Sequence, residues 1–362
     1  LFISFHKVSA KKSATLFSIS FKRETLKEDK EIINEIMRTL IGENERYAQR
    51  SKEKISIKFV AGCSFFNEPK QFTECFRQAQ VALLSNQYSH KTWQFYQQQH
   101  DIFIADRSDL IRDLEVAIRH KQLVVYIQPQ FTLGDHGPAG GEILLRWHHQ
   151  EKGFISPQKF IPLAEQSKLI FPITKFVIEE ACLWLKALKG INPDFYKNFR
   201  ISVNISALDI AEPRLISFLQ NTLFYHGIDN NKIMLEVTES AAANNAELFL
   251  STIHKLKVLG FPISIDDFGT GYSSMQYLQT MEADEIKLDM AFIRDIDKNP
   301  TSQKIAKAII DLAHSTGAHT LAEGIESEEE LECLKRLKCQ QAQGFYWSPA
   351  IPLSQFEKEY IK

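Results

Sequence analysis

The sequence predicts an α/β protein in which a smaller α/β domain precedes a (β/α)8 barrel. The chain has 362 residues, enough for two domains, and 44% of them are hydrophobic, enough for a sizeable core. Short apolar segments and amphipathic segments alternate about seven or eight times over roughly 250 residues, which is the rhythm of such a barrel. The composition also shifts near residues 90–108, which separates the two regions.

The predicted barrel strands are short and apolar, and each carries an oxygen-bearing side chain or a lysine. They lie at 142–147, 201–206, 232–239, 261–265, 285–289 and 319–322. Stretches with helical period lie among them, at 171–188, 214–226, 246–259, 302–314 and 328–337. Because strand ends converge on one face of a barrel, polar residues far apart in sequence are expected to meet there.

Two adjacent carboxylates, Asp266 and Asp267, end the predicted strand 261–265 and begin a glycine-rich turn. Two like charges at one position are costly unless a cation compensates them. A carboxylate between two divalent ions about 3.5–4 Å apart is a common arrangement for cleaving a phosphodiester. The pair therefore indicates a metal-dependent phosphodiester chemistry. Its oxygen ligands suit Mg²⁺ or Mn²⁺ rather than zinc.

The first domain is assigned residues 1–104. Strands are predicted at 15–21 and 55–61, and helices at 28–41 and 72–84. The second domain, 108–362, is predicted to begin with an amphipathic helix whose N-cap is Ser108. The pair His148-His149 has no third ligand nearby and is predicted to lie in a loop.

Composition limits the location and the partners of the chain. The net charge of −2 gives no sign of polyanion binding, so no DNA partner is expected. The five cysteines show neither disulfide nor zinc spacing, which favours the cytoplasm. No apolar run reaches about 18 residues. The chain begins with Leu1 inside a strand-like run, so it is expected to be a fragment; a preceding part would have room for a sensor or an inner-membrane anchor.

The second domain contains nine short sequence blocks in a fixed order. The blocks are Gln128-Pro129, Glu142-Ile-Leu-Leu-Arg-Trp147, Phe160-Ile-Pro-Leu-Ala-Glu165, Asn204-Ile-Ser206, Glu236-Val-Thr-Glu-Ser240, Asp266-Asp-Phe-Gly-Thr-Gly-Tyr-Ser-Ser274, Lys287-Leu-Asp289, Ala322-Glu-Gly-Ile-Glu326 and Gln343-Gly344. With these blocks in this order, the domain resembles the EAL family of cyclic-di-GMP phosphodiesterases.

The resemblance implies a TIM-like barrel that binds two divalent cations, Mg²⁺ or Mn²⁺, and uses an activated water to convert cyclic-di-GMP to linear pGpG. It implies one metal held by Glu142, Asn204, Glu236 and Asp266, and a second held by Asp266, Asp267 and Glu323. The implied catalytic residues are Lys287, beside the attacking water, with Asp267 and Glu323. Whether Glu323 is a ligand or the general base stays open at this point.

The resemblance also implies substrate contacts and a regulatory loop. The implied substrate-binding residues are Gln128, Arg146 and Gln343. The implied regulatory set is Glu239, which holds the loop after Asp267, together with Gly269, Gly271 and Glu326. In the family this loop couples dimerisation to activity, so a homodimer through the EAL domain is expected.

The segments Ile55-Ser-Ile-Lys-Phe-Val-Ala61 and Phe72-Thr-Glu-Cys-Phe-Arg-Gln-Ala-Gln-Val-Ala-Leu83 fit the tail of a GGDEF module, so the first domain resembles a degenerate member of that family. The segment Ala10-Lys-Lys-Ser-Ala-Thr15 stands where the signature hairpin belongs, without a glycine for the turn or an acid for a metal. The resemblance therefore implies a regulatory or dimerisation role, with a protein partner as an option, and not a cyclase.

One departure from the family keeps a second function open. The family signature has alanine where this chain has Ile143, a change that should alter packing more than ligation. The alternative to an active enzyme is a catalytically inactive regulator that acts as a cyclic-di-GMP receptor or as a scaffold for a protein or for RNA decay. A barrel enzyme acting on sugar phosphates fits less well, because no late phosphate-binding glycine loop is present.

Overall fold

The computed structural model describes the positions 2–8, 14–20, 31–40, 42, 58–65, 71–86, 92–120, 122–134, 137–238, 241, 245–269 and 281–361. The chain divides into two compact units, Leu1–Arg112 and Asp113–Lys362. The division falls inside a helix, Gln98–Arg119. The prediction that a helix begins at Ser108 is wrong, since the Ser108 hydroxyl donates a hydrogen bond to the Ile104 carbonyl, 3.0 Å away, one turn earlier in the same helix.

The first unit contains a four-stranded sheet in the order β2-β1-β3-β4. Its strands are β1 Phe2–Val8, β2 Ala14–Ser20, β3 Lys58–Ser64 and β4 Trp93–Phe95. Strand β1 is antiparallel to β2 and β3, whereas β4 is parallel to β3. Helices cover 31–40 and Phe72–Asn86. A small core joins the first helix to β3 through Ile33, Met37, Ala61 and Cys63. Residues 10–13 of the predicted degenerate signature lie outside the described residues.

The second unit contains a closed barrel of eight strands. The strands of this unit are β5 Leu123–Thr132, β6 Pro138–His149, β7 Gly153–Ile155, β8 Arg200–Asn204, β9 Ile233–Thr238, β10 Ile263–Phe268, β11 Glu285–Leu288, β12 His319–Ala322, β13 Gln341–Ala342 and β14 Ile351–Pro352. The barrel runs β5-β13-β12-β11-β10-β9-β8-β6, and pairing of β6 with β5 closes it. Strands β14 and β7 extend the sheet beside β5 and β6.

The barrel departs from a regular (β/α)8 arrangement at one strand. Strand β5 is antiparallel to both β6 and β13, whereas the pairings from β6 through β13 are parallel. The connection between β5 and β6 is too short for a crossover helix, so the two strands form a hairpin. The pairing of β6 with β7 shows that the loop predicted for His148-His149 is wrong, because both residues lie in β6 opposite β7.

Helices cover the barrel, and the five predicted from periodicity are present. Their bounds are Ile170–Ile191, Leu215–His226, Ala246–Val258, Pro300–Thr316 and Glu328–Leu337. Further helices lie at Pro157–Ser167, Pro193–Asn198, Ala207–Ile210, Met290–Ile293 and Leu353–Tyr360, with a 3₁₀ turn at Asn230–Lys232. Among the described helices, none has both the length and the apolar content needed to cross a membrane.

Local sequence accounts for the ends of these elements. Ser327 and Glu330 form a capping box that begins the helix Glu328–Leu337, and Lys338 ends it in the left-handed conformation. Strands β9 and β11 are buried almost throughout, as expected where a parallel sheet is covered on both faces. Because the core-forming strands carry polar residues toward their carboxyl ends, these residues are held on rigid backbone at one end of the barrel.

Candidate functional site

The functional side chains come from six neighbouring barrel strands or the residues that follow them. Asn204 of β8 is directly opposite Glu236 of β9 in the register of the sheet. The Asn204 side-chain amide donates to Glu142 Oε1 of β6 over 2.8 Å. Asp266 belongs to β10 and Lys287 to β11, and Glu323 comes directly after β12. The barrel thus brings together residues separated by up to about 180 positions, as the strand-end argument predicts.

Lys287 lies at the centre of these residues. Its ammonium group is 2.7 Å from Glu323 Oε1, 3.2 Å from Asp266 Oδ1, 3.2 Å from Glu236 Oε2 and 3.4 Å from Glu142 Oε2. The Lys287 side chain is only 1% exposed. A buried ammonium is tolerated only with compensating charge, and here four carboxylates supply it.

Burial and the charge on Lys287 have opposite effects on the pKa values of the carboxyl groups, and the balance differs from one residue to the next. Burial raises the pKa of Glu236 well above its usual value, although Lys287 opposes the shift. Burial likewise raises the pKa of Glu323 to about 7. Burial acts in the same direction on Glu142, but Lys287 and hydrogen bonds from Gln343 and Asn204 outweigh it and lower the pKa. Burial opposes the charge on Lys287, yet the surrounding carboxylates raise its pKa well above the usual value, so Lys287 stays protonated.

Asp266 and Asp267 reach the same site because the strand that carries them is irregular at its end. Adjacent residues of a regular strand point to opposite faces. Here the register between β10 and β11 shifts between Ile265 and Phe268, and Asp267 has a positive φ of 55°. Single carboxylate oxygens of Asp266, Asp267 and Glu323 consequently all lie within 4.8 Å of one another. Burial, followed by the charges of Asp266 and Asp289, raises the pKa of Asp267.

This arrangement fits divalent cations. The donors are carboxylate and amide oxygens, the ligands that Mg²⁺ and Mn²⁺ prefer. Within the described part of the chain, the buried Glu236 Oε1 has no hydrogen-bond partner. Five carboxyl groups converge around the single ammonium of Lys287, so the cluster has more acidic groups than one cation can neutralise when they ionise. Glu142, Asn204, Glu236, Asp266, Asp267 and Glu323 are therefore suited to hold such ions.

The three predicted substrate-binding residues differ in their surroundings. Arg146 is half-buried, lies over the Tyr126 ring at 5.6 Å, and lines a cavity of about 700 Å³ that also reaches Asn204, Asp266 and Asp267. Gln128 donates to the Ser348 carbonyl over 3.4 Å.

Gln343 contacts the carboxylate cluster itself. Its Nε2 donates to Glu142 Oε2 over 2.8 Å and to Glu323 Oε1 over 3.1 Å. It therefore orients two carboxylates, a contact that its predicted role did not include.

Three polar residues near the site, Gln130, Glu165 and Asp209, have no role assigned from the sequence. Gln130 is 4% exposed and its Nε2 donates to Gln343 Oε1 over 3.0 Å. Glu165 and Asp209 line the cavity, and burial raises the pKa of both. Gln130 stands two residues after Gln128, so the alternation of a strand was the signal that would have found it. For Asp209 the signal was the Ser-x-x-Asp spacing of the capping box that it forms with Ser206.

The predicted regulatory residues are only partly described. Glu239 and Gly271 lie outside the described residues. Gly269 has φ +93°, and a Cβ there would lie 3.1 Å from the Phe292 ring, so glycine suits the position. The Glu326 side chain is exposed, and its backbone N–H donates to Glu330 Oε2 over 2.9 Å.

Comparison with known proteins identifies relatives of the second unit. The family model for the EAL domain matches residues 111–350. The chain is 39% identical over 252 residues to the bifunctional diguanylate cyclase/cyclic di-GMP phosphodiesterase MucR of Pseudomonas aeruginosa, a match that covers 69% of this chain and 36% of MucR. It is 37% identical over 253 residues to the cyclic di-GMP phosphodiesterase PdeR of Escherichia coli, covering 68% and 37%. The chain thus spans about a third of the length of these relatives.

Solved structures agree with this relationship. The PaMucR phosphodiesterase in complex with c-di-GMP superposes with a TM-score of 0.65 at 38% identity, covering 68% of this chain and 99% of that one. The EAL enzyme Bd1971 in its cAMP- and cyclic-di-GMP-bound form gives a TM-score of 0.68 at 30% identity, covering 73% and 72%. With the family model spanning more than half of the sequence, the chain belongs to the EAL domain family.

Proposed function

We propose that this chain hydrolyses cyclic-di-GMP to linear pGpG with two divalent cations, Mg²⁺ or Mn²⁺. The observation that carries the proposal is the buried Lys287 ammonium among four carboxylates at one end of the barrel. Relatives named as cyclic-di-GMP phosphodiesterases support the substrate. Divalent ions held by the acidic set would lower the pKa of a water molecule and stabilise charge on phosphodiester oxygens.

The residues of the chain have separate tasks in this proposal. Lys287 keeps a fixed positive charge where negative charge develops on the phosphate. Glu323 lies beside Asp266, Asp267 and the Lys287 ammonium, so it would serve either as a metal ligand or as the general base. Arg146 offers two parallel N–H donors to a phosphate at the cavity wall. Asp266 and Asp267 would hold one ion together with Glu323, and Gln128 and Gln343 would contact the substrate.

Ile143 does not weigh against catalysis. It is 2% exposed, and it pairs with Ile127 of β5 and Val203 of β8. The neighbouring Glu142 lies on the opposite face of β6, where it bonds Asn204 and Gln343. The departure from the family signature therefore changes packing at the wall of the cavity that Arg146 also lines, and it leaves the carboxylate contacts of Glu142 in place.

The test is turnover of cyclic-di-GMP by the purified chain with Mg²⁺ and with Mn²⁺, beside a parallel binding titration. A Glu142→Ala variant is the control. We expect metal-dependent pGpG formation that the variant lacks. Binding without turnover in either metal would replace the proposal with the receptor function, and the absence of both would favour a scaffold for a partner protein.

Two further proposals concern the rest of the molecule. Residues 1–104 would act as a regulatory GGDEF-like domain without cyclase activity. The EAL domain, 108–362, would form a homodimer regulated through the loop after Asp267, with Glu239, Gly269, Gly271 and Glu326 as the regulatory residues. Light scattering of the purified chain across concentrations tests the dimer, and a monomer at every concentration would exclude it. Incubation with GTP tests the cyclase, and formation of cyclic-di-GMP would contradict the assignment.

A further inference from the structure

Two buried glutamine side chains form a chain of hydrogen bonds that ends on the carboxylate cluster. Gln130 Nε2 donates to Gln343 Oε1 over 3.0 Å. Gln343 Nε2 then donates to Glu142 Oε2 over 2.8 Å and to Glu323 Oε1 over 3.1 Å. Both glutamines are only 4% exposed, so water does not readily replace either partner.

Chemistry selects one of the two orientations of the Gln343 amide. An amide has one acceptor end and one end with two donors. The end that faces Glu142 and Glu323 must be the donor end, because an amide oxygen there would meet the ionised Glu142 carboxylate, which only accepts. The Gln343 oxygen consequently points toward Gln130, which must present a donor to it. A residue without a donor at position 130 would remove the partner that favours this orientation.

The backbone around Gln130 is arranged to hold its side chain. Gln130 is opposite Gly140 in the β5–β6 hairpin. A Cβ at position 140 would lie 2.9 Å from Gln130 Oε1, so the glycine leaves the space that the glutamine occupies. Gln130 also lies two residues after Gln128, and thus on the same face of β5.

We propose that Gln130 is a positioning residue that acts through Gln343 to orient Glu142 and Glu323 for binding divalent ions. Hydrogen-bonded partners of metal ligands fix ligand orientation, and their loss typically weakens metal binding about 10–100-fold. The proposal rests on the proposed function only in requiring that these carboxylates hold divalent ions. It does not require turnover of any substrate.

The test is Mn²⁺ affinity of the metal-free full chain, measured by titration calorimetry for Gln130→Met, Gln343→Met and the double variant. We expect each single change to weaken Mn²⁺ binding about 10-fold or more. If Gln130 acts through Gln343, the double variant is no weaker than Gln343→Met, whereas independent contributions would multiply. Gln340→Met is the matched control, since Gln340 accepts hydrogen bonds from Thr320 at the other end of β13 and should leave the affinity unchanged.

The outcomes separate this proposal from the enzymatic one. Unchanged Mn²⁺ affinity in Gln130→Met, or multiplied losses in the double variant, overturns the role of Gln130 even if the chain hydrolyses cyclic-di-GMP. Weakened and non-additive affinities support it even if the chain does not. Circular dichroism and thermal unfolding verify that the variants are folded. If Gln130→Met does not fold, Gln130→Leu serves the same cycle.

Discussion

Replacing Lys287 by methionine should destabilise the metal-free protein strongly and in a pH-dependent way. Methionine keeps most of the length of the lysine chain but removes the ammonium, which lies 2.7–3.4 Å from four carboxylates. Removing one partner of a buried ion pair typically costs about 3–5 kcal/mol, because the other charge is left buried and uncompensated. Since Lys287 serves four carboxylates, we expect the upper part of this range at pH 8.

The pH dependence follows from the carboxylates. In the wild-type protein Lys287 opposes the rise in pKa that burial imposes on Glu236 and Glu323. Without the lysine, their folded-state pKa values rise further above the unfolded values. A carboxylate with a raised folded pKa stabilises the fold only while it is protonated, so the variant loses stability as the pH rises. The deficit relative to wild type should therefore be larger at pH 8 than at pH 5.5.

The assay is urea unfolding in the presence of EDTA at both pH values, followed by tryptophan fluorescence. The buried Trp147 and Trp184 report on the second unit. Lys298→Met is the matched control, because Lys298 is 74% exposed in its ion pairs with Asp295 and Asp297, and exposed ion pairs contribute little to stability. A deficit for Lys287→Met below about 1 kcal/mol, or one that shrinks as the pH rises, would refute the reasoning.

Three further predictions follow from burial and close contact. Burial raises the pKa of Glu285, so the wild-type protein should lose stability relative to Glu285→Gln as the pH rises above about 4.5. Urea unfolding over a range of pH measures this difference, and a difference that does not change with pH would contradict the prediction. Ile143→Ala should lower the free energy of unfolding by about 2–4 kcal/mol, and calorimetry should show an unchanged Mn²⁺ affinity. A loss of affinity without destabilisation would contradict this prediction. Gly344→Ala should destabilise the fold and weaken Mn²⁺ binding in the same assays, because its Cβ would meet the Ile325 backbone at 2.2 Å; wild-type behaviour would mean that this contact relaxes freely.

Local patterns were sufficient to predict most elements of the second unit. The helix Glu328–Leu337 has its capping box and its apolar period within ten residues, so its bounds follow from sequence. Ser108 and His148-His149 were predicted wrongly for a shared reason. A serine before an apolar period also occurs inside a longer helix, and a polar pair also occurs at the end of a strand that another strand extends. Neither case is decided by residues nearby in sequence.

The sequence by itself determined which residue types stand at the strand ends, and thereby the acidic, lysine-containing character of the site. This could be predicted because strand length, alternation of apolar and polar residues, and turn residues are patterns within a few neighbouring positions. The tertiary structure alone decided which of these side chains meet. Closing the barrel places Lys287 against carboxylates from four different segments and joins Gln130 to Gln343, 213 positions away. Such contacts depend on the register of the whole sheet, and no local pattern encodes that register.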